Sequence, residues 1–365
     1  MKNARKKEID NRQGAAKSAI APGIGIVALL ALIIYCIVLC LEPTLNFDMW
    51  WMLKAGEEIV KSRSIPRTDP FSYTSAGNMW LNHEWLLSVI FYLVNCIGGY
   101  IALTVLKTLA LIAIFAFGIA IAYSRKGGNL AAAALAALWM LNISFNYYGV
   151  KIRASFFAFI FIILTWFILE RAYNGRKKSL MYFLIPLSLI WWNCHGTAVF
   201  ILIFQVIFLG VYLLRLKAEK LQPNSFVKKI TDLGYSKEDE KCNHSFIRPA
   251  VITLVLSFFI AFINPYGIKM IIWPFEFINT ASTESQIAEF QRPEFFGVNS
   301  GYTWSAIIML ALVIIFIKRF RLTDIIIFAI ANFFSLQMIR HLALYSVLVT
   351  PVSYTHLTLP TIYSV

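Results

Sequence analysis

The sequence predicts an all-α protein that crosses a membrane about ten times, and three observations predict it. Apolar residues make up 59% of the 365 residues and charged residues 14%, with a mean hydropathy of +0.68. A soluble domain needs roughly a quarter of its residues charged to cover its surface, so this chain belongs in a bilayer. Apolar runs near the length that a spanning helix needs, about 17–25 residues, recur along it. The 33 basic residues outnumber the 19 acidic ones, net +14, and they gather between alternate runs as in cytoplasmic loops. The expected partners are therefore membrane lipids, with no nucleic acid. Cys36, Cys40, Cys96, Cys194 and Cys242 are scattered and mostly lie inside apolar runs, which excludes a disulfide scaffold and shows no metal-ligand spacing.

Residues 1–23 read as a basic cytoplasmic tail, and 24–352 as the transmembrane domain. No small-residue cleavage site follows the first apolar run, so that run is expected to stay as an anchor. The candidate spans are Ile24–Leu41, Ile101–Tyr123, Leu130–Tyr147, Ala154–Leu169, Leu180–Trp192, Thr197–Leu214, Pro249–Ile263, Thr303–Ile317, Asp324–Ile339 and Leu342–Val352. The run Trp85–Ile97 is short for a span and is followed by Gly98-Gly99. Charge decides its role. If it does not cross and the N-terminus is cytoplasmic, the inside segments carry 23 Lys and Arg and the outside segments nine. If it crosses, the counts become 11 and 21. The excess of positive charge on inner loops favours the first arrangement. Trp85–Ile97 is then a re-entrant or interfacial helix on the outer face of a multi-pass protein of the cell's inner (plasma) membrane.

The first outer loop, 42–100, is the most informative. Phe47–Lys61 reads as an amphipathic surface helix, with Lys54, Glu57, Glu58 and Lys61 on one stripe at i, i+3, i+4, i+7 spacing. Phe47, Trp50, Trp51, Leu53, Ala55, Ile59 and Val60 form the other face, the Trp pair suiting headgroup depth. Pro66 and Asp69-Pro70 break helix, and Ser75-Ala76-Gly77-Asn78 reads as a tight turn between two short extended pieces. The loop 215–248 is mixed-charge and cytoplasmic. The last residues, VSYTHLTLPTIYSV, resemble translated sequencing-adapter read-through. Residues 353–365 are therefore expected to be non-native, with the natural chain continuing beyond them.

Sorted by side, the outer rim collects acids, bases and cations together: Asp48, Asp69, Asn82-His83-Glu84, Lys151, Arg153, His195, Glu289, Arg292, Glu294 and Arg340-His341. The inner face has plain Lys/Arg clusters. Asp48 is a helix N-cap or a functional carboxylate. His83-Glu84 is a base, a metal site or a helix cap. Lys151 and Arg153 either snorkel or hold a phosphate. Arg340-His341 stand between two apolar runs, where ionisable groups are functional candidates. His195, in the hairpin Trp191-Trp192-Asn193-Cys194-His195-Gly196, caps a helix or reaches a cavity. Asn264-Pro265-Tyr266-Gly267 reads as structural.

The stretches FDMWWMLKAGEEIV, IPRTDPFSYTSAG, NHEWL, WWNCHG, INPYG and RH, behind an N-in first span, resemble a group of bacterial multi-span proteins placed near the protein-mannosyltransferase-like enzymes. Those belong to the GT-C superfamily of integral-membrane glycosyltransferases. The resemblance covers about Phe47–His341. It implies an outward-facing site that takes a sugar from a polyprenyl-phosphate donor, with the first-loop acid, here Asp48, as general base. The mannosyltransferase-like members usually show an adjacent acidic pair, whereas Asp48 is followed by Met49; Asp69 or Glu84 is left to supply a second acid. In this reading Arg153 and Arg340 hold the donor phosphate, while His83, Glu84, His195 and His341 line the substrate site. No metal or other cofactor is required, although a divalent metal is compatible. The alternatives are a lipid-linked-glycan flippase or transporter and a non-enzymatic envelope-assembly protein.

Overall fold

The computed structural model describes residues 23–41, 47–124, 130–148, 151–174, 177–235, 244–281, 287–297 and 300–357. It is 81% helical with no strand among the described residues. The helices are α1 (Gly23–Leu41), α2 (Phe47–Ser62), α3 (Trp85–Tyr123), α4 (Leu130–Tyr148), α5 (Ala154–Tyr173), α6 (Leu184–Cys194), α7 (Val199–Ala218), α8 (Phe226–Thr231), α9 (Ile247–Ile260), α10 (Ile268–Ala281), α11 (Ser300–Ile315), α12 (Leu322–Gln337) and α13 (Leu342–Leu357). Five are long and apolar enough to cross a membrane: α1, α3, α5, and α7 and α9 with their flanking 3-10 turns. Three shorter helical stretches, Leu130–Asn142, Ser300–Ile315 and Leu322–Gln337, are also apolar.

The break expected at Gly98-Gly99 is present. Gly98 (φ −155°, ψ 25°) and Gly99 (φ 58°, ψ −147°) leave helical geometry inside α3, and a positive φ costs a glycine nothing. Trp85–Ile97 and the following apolar run are therefore two helices joined at a kink. The first half of α3 carries α2 on its side. A Cβ on Gly56 would lie 2.1 Å from the Ser88 carbonyl oxygen, so the two backbones touch.

That close approach decides which edge of α2 packs against α3. The buried stripe is Met49, Met52, Ala55, Gly56 and Ile59, centred on the glycine. Phe47 and Trp50 lie outside that stripe and are exposed, at 87% and 60%. The polar stripe is as expected: Glu57 accepts from Lys54 at 2.9 Å and Lys61 at 2.5 Å. The two extended pieces after α2 also form. Trp80 N–H donates to the Arg67 carbonyl and Asp69 N–H to the Asn78 carbonyl, both at 2.9 Å, and Gly77 turns between them at φ 81°. Asp69 is a turn former: its Oδ1 accepts from Phe71 N–H (2.8 Å) and Ser72 N–H (3.0 Å).

The expected span Leu180–Trp192 is a 3-10 turn, Lys178–Phe183, followed by the short α6; Pro186 sits in the first turn of α6, where its missing N–H costs little. Helix α10 was not anticipated. Its sequence carries Pro274 in the interior, a residue that usually ends a helix.

Helix α5 acts as a ruler. Its 20 residues at about 1.5 Å each span roughly 30 Å. Arg153 stands at its N-cap position, and Glu170 lies in its last turn. There Glu170, 1% exposed, accepts from Arg321 Nη1 at 2.7 Å. The Arg321 guanidinium lies 4.8 Å from the Tyr235 ring centroid and Arg215 3.5 Å from the same ring. This lock holds the loop before α12 against α5 and α7, at the opposite end from the site described next.

Candidate functional site

Two clusters of polar side chains converge near the start of α5. The first is a chain of alternating charge. Asp48 stands second in α2, and its Oδ2 accepts from Arg153 Nη2. The Arg153 guanidinium also donates to Glu289, at 2.9 Å from Nη1 and 3.4 Å from Nη2. Glu289 in turn lies 4.0 Å from Arg340 Nη1. Three distant segments are drawn together. The Glu289 segment is tied to the turn carrying Arg340 by Ile339 N–H donating to the Gln291 carbonyl at 2.9 Å, and the Arg340 guanidinium stacks 5.2 Å over Phe290. Burial alone would raise the Glu289 carboxyl, but Arg153 outweighs it, with help from Arg340 and Lys151, and holds it below the usual range. Glu289 is the functional candidate that the sequence reading placed on the rim and gave no role.

The second cluster is built on Glu84. His83 Nε2 lies 3.3 Å and His195 Nε2 3.2 Å from the same oxygen, Glu84 Oε1. Burial would raise the Glu84 carboxyl, yet the two imidazoles outweigh it and keep it well below the carboxylate range. Burial pushes His195 below its ordinary value, against the pull of Glu84. The Glu84 carboxyl is therefore held in its ionised form, while burial disfavours the protonated form of His195.

Several hydrogen bonds fix this geometry. Glu84 N–H donates to Asn82 Oδ1 (3.2 Å), Asn82 N–H to Tyr266 Oη (3.0 Å), and Trp85 Nε1 to Asn193 Oδ1 (3.1 Å). Asn264 Nδ2 donates to the Trp192 carbonyl at 2.6 Å, and Asn264 Oδ1 accepts from Tyr266 N–H at 2.9 Å. The Asn264-Pro265-Tyr266-Gly267 turn is thus structural, and what it ties together are the segments carrying His83-Glu84 and His195. His195 does both things expected of it. Its Nδ1 accepts from Thr197 N–H at 3.1 Å, capping the next turn, and the ring faces a cavity. Trp273 of α10 stacks on His83, centroids 3.8 Å apart.

A cavity of about 170 Å³ lies between the clusters. Lys151, Arg153 and Arg340 stand in its wall together with His195 and His341, and Phe156, Phe159, Ile162, Val199, Phe200, Ile203, Phe334 and Leu344 supply an apolar lining. Of the expected site residues, Arg153, His195, Arg340 and His341 line it. Asp48, His83 and Glu84 do not. Each sits one contact behind, Asp48 through Arg153 and the other two through His195. His341 Nδ1 is 3.0 Å from the Phe334 carbonyl, so that nitrogen carries the proton and the ring is held against the cavity wall.

An ionised carboxylate, two imidazoles and guanidinium groups beside an apolar hollow can hold an anionic, lipid-like molecule and accept a proton near its head. The His83, Glu84 and His195 donors could also hold a metal ion. No protein-family model matches the chain and no curated protein matches it, so its chemistry has to be read from this geometry.

Proposed function

We propose that the protein is a membrane glycosyltransferase of GT-C type that takes a sugar from a polyprenyl-phosphate donor. The observation that carries this reading is the cavity, in which three cations stand over aromatic and aliphatic walls. A lipid phosphate has the matching form: an anionic head for Arg153, Arg340 and Lys151, and an isoprenoid chain for the apolar lining. Guanidinium groups suit phosphate because their planar donors engage two oxygens at once.

In the proposed step Asp48 takes the proton from the acceptor hydroxyl as general base. The acceptor oxygen forms a bond to the anomeric carbon while the bond from that carbon to the phosphate oxygen breaks. Polyprenyl phosphate leaves with the electron pair, and the sugar carbon inverts. Arg153 links the two halves of the reaction, holding the Asp48 carboxylate on one edge and facing the cavity. Arg340 stabilises the charge that grows on the leaving phosphate.

The same reading includes a membrane topology. About ten spans cross the plasma membrane, the N-terminus and Lys228 are cytoplasmic, and Gly77 and the two polar clusters face outward. The exposed Phe47 and Trp50 then meet lipid headgroups. The charge partition of 23 against nine supports this. Cysteine labelling that finds Gly77 and Lys228 on one side would overturn it.

The activity is tested with full-length protein in lipid nanodiscs, offered a panel of polyprenyl-phosphate sugars. Release of polyprenyl phosphate with an acceptor, blocked by Phe159→Trp in the cavity wall, is the expected result. Donor binding that never yields transfer with any acceptor would favour the transporter reading.

A further inference from the structure

The distances around Glu84 fit a different kind of contact than a hydrogen-bonded ion pair. A charge-assisted N–H···O⁻ bond runs at about 2.7–2.9 Å. Here the two imidazole nitrogens stand 3.3 and 3.2 Å from one carboxylate oxygen. A tetrahedral ion with bonds of about 2.0–2.1 Å spaces its ligands about 3.3–3.4 Å apart. An octahedral ion with bonds of the same length spaces neighbouring ligands about 2.8–3.0 Å apart. The two separations from Glu84 Oε1 lie close to the tetrahedral spacing. All three ligand atoms also lie within 4.8 Å of one another, close enough to share one ion.

We propose that His83, Glu84 and His195 bind a divalent ion of the zinc class, tetrahedrally, with the fourth position turned toward the cavity that His195 lines. Two imidazoles and one carboxylate with an open position are the ligand set of catalytic zinc sites. The surroundings supply what such ligands need outside the first shell. A metal-bound imidazole donates its other N–H to a nearby oxygen, and His195 Nδ1 has Thr197 Oγ1 at 3.0 Å. That hydroxyl is oriented by Trp191 Nε1, which donates to it at 3.2 Å. Without a metal, Nδ1 accepts from Thr197 N–H and Nε2 carries the proton toward the carboxylate. A metal on Nε2 would move that proton to Nδ1, which must then turn from the Thr197 N–H to the Thr197 hydroxyl oxygen. His83 is fixed by its stack on Trp273, and the Glu84 main chain by its N–H donating to Asn82 Oδ1.

This site is tested without the transfer reaction. Full-length protein in detergent is stripped with a chelator, dialysed, and titrated with Zn²⁺ and, as a spectroscopic probe, Co²⁺. The expected result is one Zn²⁺ per chain and the intense visible bands of tetrahedral Co²⁺. His83→Gln and His195→Gln should each weaken binding by at least about a hundredfold, and Thr197→Val, which removes only the outer oxygen, by about 10–100-fold. Three outcomes overturn the proposal: folded wild-type protein that takes up no zinc, a weak octahedral Co²⁺ spectrum, or histidine variants that fold and bind as wild type. If the variants do not fold, the wild-type stoichiometry and spectrum still decide.

Discussion

Gly196 is where packing and the Glu84 cluster meet, and replacing it with alanine should disturb both. A Cβ at that position would lie 2.6 Å from Trp273 Cζ3 and 2.7 Å from Cε3. Carbon atoms prefer about 3.5–4.0 Å, so the indole must retreat by roughly 1 Å. It cannot simply tilt away, because it stacks on His83 with centroids 3.8 Å apart and planes 28° apart. Overpacking of this kind costs about 1–3 kcal/mol, which shifts the folding equilibrium by roughly 5- to 150-fold. Gly210, in the interior of α7, provides the control. A Cβ there meets nothing within 4 Å, so Gly210→Ala should be neutral or stabilise by up to about 1 kcal/mol. Tryptophan-fluorescence melts and denaturant titrations of the detergent-solubilised protein would measure both. Gly196→Ala should melt lower with an altered tryptophan signal, and Gly210→Ala should not. If Gly196→Ala melts with wild type and its emission is unchanged, the ring yields freely and Trp273 does not hold His83 in place.

Asp48→Asn should lower sugar transfer by about 10²–10⁴-fold while leaving the melting temperature nearly unchanged, since Arg153 keeps Glu289; retention of more than about a tenth of the activity would remove Asp48 as base. Glu170→Gln should destabilise by about 3–5 kcal/mol, the usual cost of stranding one partner of a buried ion pair. Zinc affinity should be untouched because the site lies roughly 25 Å away along α5, so loss of zinc in a folded Glu170→Gln protein would contradict the separation of the two ends. Glu289 supplies a pH dependence. Its folded carboxyl lies below the usual range, so its contribution is present above the unfolded value of about 4.3 and is lost as pH falls through the lower folded value. Melting curves of wild type and Glu289→Gln should therefore converge below about pH 4, and a constant difference down to strong acid would show that Glu289 is not tied to Arg153.

Which parts of this architecture could be read from the sequence follows from how local each signal is. Apolar runs and the glycine pair at 98–99 act on the chain beside them, so the all-α class, the long apolar helices and the separation of Trp85–Ile97 from the run after it were legible. Periodicity marked the polar stripe of α2 correctly but could not say which apolar edge is buried. That depends on Ser88, more than thirty residues on, and on the small Gly56 that lets it approach. Asp48, Arg153, Arg340 and His195 each stood out as a polar group beside an apolar run, where it needs a partner. The partners themselves were not visible. Arg153 meets Glu289 across 136 residues of sequence, and no local pattern in that stretch encodes the meeting. Helix α10 was hidden because Pro274 sits inside it, so the partner of His83 was hidden with it.

The two polar clusters are not independent, and Arg340 explains why. Its guanidinium is largely buried and feels Glu289 most strongly among the acids, then Glu84 and Asp48, while Arg153 opposes it. Arg340 stands in the cavity wall with Arg153 and His195, and Glu84 lies behind His195. An anion in the cavity would meet the guanidinium groups directly and feel the Glu84 carboxylate through His195. A divalent ion held by Glu84 and the two imidazoles would add two positive charges there, turning that repulsion into attraction. The zinc proposal and the lipid-phosphate proposal are tested separately, but they share this electrostatic consequence. Binding of an anionic lipid should strengthen with metal if both hold, because the apolar lining gives the chain a place and only the charge behind His195 changes.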